Sequence, residues 1–525
     1  MDPQQVLSNL SFGKVDAETD DKLTNCFIGT DILKQALQAR HSLILGGKGS
    51  GKSALFRLLS QDTYRLTQLL QNHFSDIYSI PAYGIHSDEY LTYTEIQEIN
   101  PQSIDDFKYF WQLYFGLKTA ATIANCPRMQ ERVRKSNSQN IKDNYNSVIQ
   151  LLSEIGLLQR DRNVSRFQKR IKEIFSFQVL TPDKTAGKSK VVVISNKSKA
   201  GLNIISFLDL VDKILKESNC LVWILIDQID LLYLDDLDRR KKAITALVQL
   251  LIEYSSRFSN INLKLFLRTD IYRELQIVNK SHLVSVTIEL KWTETLLLKL
   301  FVTRAISDKN VRLYCEGILK ENLDVVRVIA ANDELIMNIF YTLFESNMNG
   351  NRDRIIPPHS WIFKRLVDGL GMLYPRELIH LGNQAVLKQK EINKFRGIIQ
   401  TPDNETNNEK YLIESRSVKS AFEEVSKYRC DTYLYAEFPH LSNHFDKFRG
   451  NEKNKISRTE LLDMFSNVNP TGNEAVRAVY ETGLLKPLEN KNVEACRKFT
   501  VPYLYKSGLG IIARRSINKN SEHAK

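Results

Sequence analysis

The sequence lacks several patterns that would assign it to common classes of protein. No apolar run approaches the ~18 residues of a membrane span, and the N-terminus has no charged start followed by an apolar core. The six cysteines form no C-x-x-C pair, the nine histidines show no H-E-x-x-H spacing, and no G-x-S-x-G is present. We therefore expect no membrane segment, disulfide framework, zinc site, protease site or nuclease site, and predict a cytoplasmic protein.

Positive charge is concentrated in one part of the chain. The 525 residues predict two to four domains, and the formal net charge is +12. Between Pro127 and Ala200, sixteen Lys and Arg residues stand against six Asp and Glu residues. We interpret residues 127–200 as a basic helical insertion that either contacts nucleic acid or an acidic partner, or forms a solvated helical surface.

One motif occurs with its full structural context. GGKGSGKS matches G-x-x-x-x-G-K-[ST] between an apolar run, His41 to Leu45, and a helical segment, Ala54 to Leu59. In such a loop the backbone N–H groups converge on a phosphate, Lys52 reaches the β and γ oxygens, and Ser53 is a ligand of Mg²⁺. The predicted nucleotide-binding residues of the loop are Gly46, Gly47, Lys48, Gly49, Ser50, Gly51, Lys52, Ser53 and Ala54.

Strand and helix patterns alternate after this loop. Such alternation predicts right-handed crossovers in one parallel sheet, so the fold class is α/β with a P-loop NTPase core. The predicted strands after the loop are Ile77–Ile85, broken at Pro81, then Leu221–Ile226, Asn262–Leu267 and Val284–Leu290. The long helix Ile104–Ala124 carries an aromatic cluster that we interpret as core.

Four regions follow from these patterns. They are a lead-in that packs on the core (1–40), the P-loop core (41–292), a helical lid (293–400) and, after a linker (401–410), a winged-helix-like domain (411–525). The last domain is predicted from three helices followed by a hairpin with a final strand, over Lys486–Ala513.

Asp227 is the predicted Mg²⁺ carboxylate. It follows the apolar strand Leu221–Ile226, which we expect to lie beside the phosphate-loop strand. The next residue is Gln228, where many hydrolysing relatives have an acid. An amide orients water but accepts no proton at neutral pH, so either Asp230 is the base or hydrolysis is slow.

Arginines supply the other candidate contacts. Arg268 ends the next strand and offers a planar fork of donors to the γ-phosphate, or else forms a salt bridge with Asp270. Arg376 follows Tyr374-Pro375 at a helix start and is either a nucleotide contact from the lid or a surface side chain. Arg239 and Arg240 are weaker candidates for a contact with a neighbouring subunit's nucleotide.

Several segments together resemble a known family. GGKGSGKSALF, LVWILIDQIDLL, KLFLRTDIYREL, the Trp292-Thr293 step, YPRELIHL and the opening FGKVDAETDDKL are similar to bacterial P-loop ATPases near the STAND and KAP groups of NTPases, over roughly residues 10 to 390. The resemblance implies ATP with Mg²⁺ as cofactors, Lys52, Ser53, Asp227 and Asp230 as site residues, Arg268 as the first sensor, and Arg376 as the lid arginine. It also implies a switch used in bacterial anti-phage defence.

Three functions remain open on the sequence. The first is a regulatory ATPase that changes its homo-oligomeric assembly on binding ATP and acts on a separately encoded effector or sensor. The second is a DNA-binding or DNA-remodelling ATPase, and the third is a nucleotide-binding scaffold without catalysis. In the second case the phosphate contacts would be Lys486, Lys491, Arg497, Lys498, Lys506, Arg514 and Arg515.

Overall fold

The structure, a computed structural model, describes residues 2–23, 25–26, 28, 31–36, 38, 42–61, 76–83, 96–97, 100–154, 157–158, 204–277, 280–349, 354–398, 411–453, 455–489 and 492–511. Its α-helices, in chain order, are α1 (Pro3–Asn9), α2 (Asp31–Ala36), α3 (Lys52–Gln61), α4 (Ile104–Asn125), α5 (Pro127–Lys135), α6 (Gln139–Glu154), α7 (Ile204–Glu217), α8 (Leu237–Arg257), α9 (Thr269–Glu274), α10 (Glu294–Ile306), α11 (Lys309–Leu319), α12 (Val325–Ala330), α13 (Asp333–Leu343), α14 (Pro358–Leu366), α15 (Pro375–Ile398), α16 (Ser415–Arg429), α17 (Ser442–Asp446), α18 (Arg458–Met464), α19 (Gly472–Glu481) and α20 (Tyr503–Lys506). Its strands are β1 (Leu43–Gly46), β2 (Asp76–Tyr83), β3 (Cys220–Ile226), β4 (Ile261–Arg268), β5 (Thr287–Glu289), β6 (Ile456–Ser457), β7 (Lys486–Pro487) and β8 (Lys498–Thr500).

The chain divides into two compact units. The sheet unit is Gly29–Leu290, and the helical unit is Met1–Ile28 together with Lys291–Lys525. The predicted lid and winged-helix-like regions both fall within the helical unit. The predicted linker, 401–410, lies outside the described residues.

The sheet unit is built on five parallel strands in the order β2-β3-β4-β1-β5. Every residue of β3 and β4 is buried. Central strands covered by helices on both faces read as continuous apolar runs, which is why both strands are visible in the sequence. The predicted α/β core with a parallel sheet is present.

The strand order corrects one prediction. We expected the strand that ends before Asp227 to lie beside the phosphate-loop strand, but β4 lies between β3 and β1. Two strand spacings, roughly 10 Å, therefore separate β1 from β3. The end of β4, at Arg268, consequently lies between the phosphate loop and Asp227.

β2 runs through Pro81 rather than breaking there. Its register with β3 shifts between Pro81 and Tyr83. Because β2 is an edge strand of this sheet, the missing N–H of proline costs no ladder bond on the open side.

Helices α4, α7 and α8 cover the sheet, and the aromatic cluster of α4 is core as predicted. Phe110, Trp111, Tyr114 and Phe115 are all at most 1% exposed. The start of the predicted insertion, α5 and α6, packs on the same core. Most of the predicted insertion beyond residue 154, with the stretch Thr181–Ala200, lies outside the described residues.

A buried lysine attaches α2 to the sheet. Lys264 in β4 is fully buried and donates to the carbonyl oxygens of Ala36 (2.8 Å) and Gln38 (2.6 Å). Its Nζ lies 4.7 Å from the Trp223 ring centroid. Burial lowers the pKa of Lys264 to about 7.

The lead-in differs from the prediction that residues 1–40 pack on the nucleotide fold. Its first 28 residues belong to the helical unit. The Phe12 ring stacks on Phe301 of α10 with centroids 3.9 Å apart, and Arg304 donates to the Phe12 carbonyl oxygen (2.9 Å) and to Asp20 (2.6 Å). Gly13 has φ 87°, and a Cβ there would lie 2.3 Å from the Arg304 guanidinium, so glycine is required.

The C-terminal part of the helical unit contains a small antiparallel sheet. Its strand order is β6-β8-β7, and α18 and α19 lie between β6 and β7 in the chain. Residues 503–506 form helix α20 in place of the predicted final strand.

Candidate nucleotide-binding site

The glycine-rich loop joins β1 to α3, as predicted. Gly49 and Gly51 have φ of 88° and 97°, conformations that favour glycine. A Cβ on Gly46 would lie 2.3 Å from the Ser50 hydroxyl oxygen. The loop can therefore bring its backbone close to a ligand without obstruction by side chains.

Lys52 turns back onto its own loop. Its ammonium donates to the carbonyl oxygens of Gly46 (2.9 Å) and Gly47 (3.0 Å). Burial lowers the pKa of Lys52, and the carboxylates of Asp227 and Asp230 act to raise it. The lysine thus lies within electrostatic reach of both predicted acids.

Asp227 closes β3 as a buried carboxylate. It is 2% exposed, and the Ser53 side chain acts to lower its pKa. Burial raises the pKa of Asp227 to about 6, against the opposing effect of Lys52. Its Oδ2 atom is buried and has no hydrogen-bond partner within the described residues.

This pair of side chains suits Mg²⁺. The ion prefers hydroxyl and carboxylate oxygens and takes its remaining ligands from phosphate and water. A buried carboxylate oxygen without a partner costs free energy that a cation would recover. Ser53 and Asp227 would therefore hold the ion.

Arg268 is held at the end of β4 by two acids. Its guanidinium donates to both carboxylate oxygens of Asp270 (3.2 and 2.7 Å) and lies 3.7 Å from Asp230. Burial acts to raise the pKa of Asp270, but Arg268 outweighs it and the pKa is lowered. The salt bridge with Asp270, one of the two predicted alternatives, is formed, and it leaves the arginine beside Lys52, Asp227 and Asp230.

Gln228 has a left-handed backbone, with φ 57° and ψ 25°. A residue other than glycine is uncommon in this region, and such strain concentrates at functional sites. The conformation lets the chain turn sharply after Asp227 into the 3₁₀ turn Ile229–Leu231. Asp230 is thereby brought back towards Arg268.

The remaining predicted arginines form contacts within the chain. Arg376, in the helical unit, forms a salt bridge with Asp16 (3.1 Å). Arg239 donates to the Pro101 carbonyl oxygen (3.0 Å), and Arg240 donates to the Asp230 carbonyl oxygen (3.4 Å). Both side chains are therefore bound within their own chain, whereas a contact with a neighbouring subunit's nucleotide would require a side chain that projects away from it.

Sequence reasoning proposed Asp270 only as a competitor for Arg268, not as the residue that positions it. The signal was the R-T-D sequence at the end of a buried strand, where side chains two residues apart can meet once the strand turns into α9. No sequence signal pointed to Lys264, since a lysine inside a strand reads as exposed.

A glycine-rich turn, a lysine and a buried aspartate at the carboxyl edge of a parallel sheet define the class of P-loop nucleotide-binding proteins. The sequence model of the ORC-CDC6-like family matches residues 11–277, slightly more than half of the 525 residues. The chain belongs to the ORC-CDC6-like family, which is related to the AAA+ P-loop ATPases. No curated protein matches the chain.

This family assignment differs in detail from the resemblance to STAND and KAP NTPases, which the match does not confirm. The match extends over most of the sheet unit and ends at residue 277. Among the residues that the structure describes, no helix combines the length and hydropathy needed to cross a bilayer.

Proposed function

We propose that the protein is an ATP-dependent regulatory switch with slow turnover, which changes its assembly when Mg²⁺ and ATP bind. The observation that carries this proposal is the Asp227 carboxylate, which is buried, interacts electrostatically with Lys52 and Ser53, and has no hydrogen-bond partner at Oδ2 within the described residues. The ORC-CDC6-like family suggests a nucleotide-dependent ATPase in general.

Each residue of the site has a role in this proposal. Lys52 exchanges its two loop carbonyls for β and γ phosphate oxygens, which leaves the number of its hydrogen bonds unchanged. Ser53 and Asp227 hold Mg²⁺, which when bound neutralises the developing phosphate charge. Arg268, held by Asp270, presents its guanidinium towards the γ-phosphate.

Slow turnover follows from the residue after Asp227. Gln228 orients a water but accepts no proton, and the alternative base, Asp230, lies 3.7 Å from Arg268. The guanidinium is an electrostatic partner of this carboxylate and competes with an attacking water for it. Binding is therefore expected to outlast hydrolysis, as a switch requires.

The regulatory part of the proposal is tested by particle mass. Full-length protein is measured by mass photometry without nucleotide and with Mg²⁺ and ATP, and Lys52→Ala is the variant with a disabled site. We expect a shift to multiples of the 60.6 kDa chain in the wild type only. A wild type that stays monomeric in both conditions would refute the assembly switch.

The catalytic part is tested by Gln228→Glu. An acid at this position restores a proton acceptor, so the rate of phosphate release should rise while the affinity for ATP stays unchanged. Gln228→Asn is the matched control and should leave the rate low. An equal rate in Gln228→Glu and wild type would remove Gln228 as the cause of slow turnover.

A second candidate function is DNA binding. Its support is the sheet order β6-β8-β7 with α18 and α19 ahead of the β7–β8 hairpin, the order of elements in a winged helix. Against it, α19 exposes Asn473, Glu474 and Arg477, and Arg477 is paired with Glu481 at 3.1 Å. This surface does not carry the excess positive charge that DNA phosphates attract.

Filter binding tests the DNA-binding candidate. At low salt, affinity for duplex DNA should fall in Lys486→Ala and Arg497→Ala, both exposed in the hairpin region, and should weaken steeply as salt rises. Lys498 pairs with Glu489 (3.1 Å), and Lys491, Arg514 and Arg515 lie outside the described residues. No binding at low salt would exclude this function.

Anti-phage defence, with a separately encoded effector or sensor, belongs to the same proposal. Its support is the resemblance of the P-loop, Asp227 and Arg376 segments to switch ATPases of defence loci. Phage challenge of a bacterial host that carries this gene with its neighbours tests it, with Lys52→Ala as the inactive control. Equal plaque numbers for hosts that carry the wild-type gene and the Lys52→Ala variant would refute it.

A further inference from the structure

The segment directly after the candidate site exposes three leucines. Leu231, Leu234 and Leu237 are 49%, 58% and 53% exposed, and Asp235 and Asp236 beside them are also exposed. We call these five residues the leucine surface. Clustered exposed apolar side chains mark interaction sites more often than isolated ones do.

Buried neighbouring residues hold the leucine surface in place. The neighbouring Leu232 and Tyr233 are at most 2% exposed, and the Tyr233 ring packs edge-on against Phe107 at 5.7 Å. Tyr233 has φ 50°, a left-handed conformation that is rare for a bulky residue. Burial and backbone strain therefore keep the leucines outside, although a relaxed loop could turn them inward.

This surface is not neutralised by a local ion pair among the described residues, although Asp236 accepts a hydrogen bond from the Arg239 backbone N–H (2.9 Å) as the N-cap of α8. Four cations follow it in sequence, but the ion pairs of Lys241 and Lys242 are formed with Glu274 (3.1 Å) and Asp238 (2.7 Å). Arg239 and Arg240 donate to backbone carbonyl oxygens. Within the described part of the chain, no ion pair reaches Asp235 or Asp236.

A complementary surface precedes β5. Val284 is 76% exposed and is the other exposed large apolar side chain among the described residues of the sheet unit. Lys280, His282 and the exposed Arg273 lie nearby in sequence, and we call these four residues the valine surface. Lys280 lies over the Tyr272 ring, with Nζ 4.3 Å from the centroid, which links this turn to α9.

We infer that the leucine surface binds the valine surface of a second copy of this chain, an inference that rests on the proposed assembly switch and names its interface. One surface is apolar and acidic, and the other is apolar and basic, so leucine meets valine while Asp235 and Asp236 meet Arg273 and Lys280. Each surface would repel a copy of itself through its like charges.

The two surfaces lie at different places in the sheet unit. The leucine surface follows β3. In the valine surface, Arg273 follows the adjacent strand β4, where its neighbour Glu274 pairs with Lys241, and Val284 precedes β5, three strand positions from β3. A contact between different surfaces of identical chains is heterologous, and it builds rings or filaments rather than a closed dimer. Since the leucine surface starts one residue after Asp230, a bound nucleotide is positioned to control it.

Two blocked variants test this arrangement. Leu234→Asp disables the leucine surface, and Val284→Asp disables the valine surface. Each variant alone should remain at 60.6 kDa with Mg²⁺ and ATP, whereas an equimolar mixture should form particles of twice that mass and no larger ones. Leu313→Asp, at a leucine of α11 that is 40% exposed, is the matched control and should assemble as the wild type does.

The outcomes separate the interface from the switch. All variants should keep the increase in melting temperature that Mg²⁺ and ATP produce, which verifies folding and the site. A wild type that never assembles refutes the switch and this interface with it. A wild type that assembles while the mixture stays monomeric, or dimers formed by Val284→Asp alone, overturns the heterologous interface only.

Discussion

The two units of this molecule bury charge in opposite ways. In the helical unit, buried arginines are paired with buried acids: Arg304 with Asp20 and Arg429 with Glu377, each at 2.6 Å and each side chain at most 5% exposed. In the sheet unit, Asp227 is equally buried, but within the described residues no lysine or arginine forms an ion pair with it. One oxygen of Asp227 (Oδ2) and one of Glu377 (Oε2) lack a hydrogen-bond partner there, so the ion pair is what distinguishes the two acids. A closed pair holds a structure together, whereas an open carboxylate is available to a cation.

The helical unit extends its pairing with aromatic rings. The Arg429 guanidinium lies 3.6 Å from the Tyr433 ring centroid. Arg429 is the last residue of α16, and the π-helical turn Cys430–Tyr435 follows it directly. Nearby, burial raises the pKa of Asp368 to about 6. This cluster joins α15 to α16 inside the unit.

Breaking a closed pair should have the largest effect on stability. Arg429→Met leaves Glu377 buried without its cation, and we expect a loss of about 3–5 kcal/mol in the free energy of unfolding. Urea denaturation of the full-length protein measures it. Arg449→Met, which breaks the exposed pair with Asp446, should cost less than about 1 kcal/mol. Equal losses in the two variants would contradict the distinction.

Removing the phosphate-loop lysine should affect the sheet unit, and the quantity that changes is the rate of turnover rather than the stability. Lys52→Ala removes the donor to the phosphates, so we expect turnover to fall roughly 10²–10³-fold, as for other single electrostatic contacts to a transition state. Steady-state phosphate release is the measurement. Lys48→Ala is the control, because Lys48 is predicted to act through its backbone. A similar loss in Lys48→Ala would argue for a general effect on the loop.

Asp227→Asn should stabilise the protein without nucleotide. The folded-state pKa, about 6, exceeds the ordinary value of 3.8, so the ionised carboxylate destabilises the fold above pH 6 and has no effect below about pH 4. The variant should therefore gain on the order of 1–3 kcal/mol above pH 6, and this gain should vanish on acidification.

Melting temperatures between pH 4 and 8 measure this gain. With Mg²⁺ and ATP the wild type should have the higher melting temperature, since the amide of Asp227→Asn cannot replace the carboxylate as an ion ligand. Destabilisation by Asp227→Asn in the absence of nucleotide would contradict the interpretation of Asp227 as an open carboxylate.

The smallest effect is expected at Asp16. Its salt bridge with Arg376 is largely exposed, with 62% of the Asp16 side chain accessible, so Asp16→Asn should change stability by less than about 1 kcal/mol. If Arg376 is the nucleotide contact that the resemblance implies, Arg376→Ala should weaken ATP binding while Asp16→Asn does not. Isothermal titration calorimetry of both variants makes the comparison, and equal affinities would remove Arg376 from the site.

Most strands and long helices could be predicted because their signals are local. β3 was expected over Leu221–Ile226 and spans Cys220–Ile226, and α4 was expected over Ile104–Ala124 and spans Ile104–Asn125. Burial of both faces leaves a continuous apolar run that needs no knowledge of the neighbours. β5, by contrast, is shorter than the predicted strand Val284–Leu290. It has only three residues because Lys280–Val286 forms a 3₁₀ helix.

The phosphate loop is the part of the site that consecutive residues specify. Phosphate is bound by adjacent backbone N–H groups, which require glycines at Gly49 and Gly51 and a lysine at the next position. The strand order was decided elsewhere, by pairings between distant segments that insert β4 between β1 and β3. Arg268 lies beside Asp230 only because of this insertion, whereas its contact with Asp270 is local to the turn into α9. The open oxygen of Asp227 likewise depends on which side chains the folded chain brings near it. A site formed by neighbouring residues can be predicted from the sequence. A site formed by side chains from different strands depends on long-range packing that no local pattern encodes.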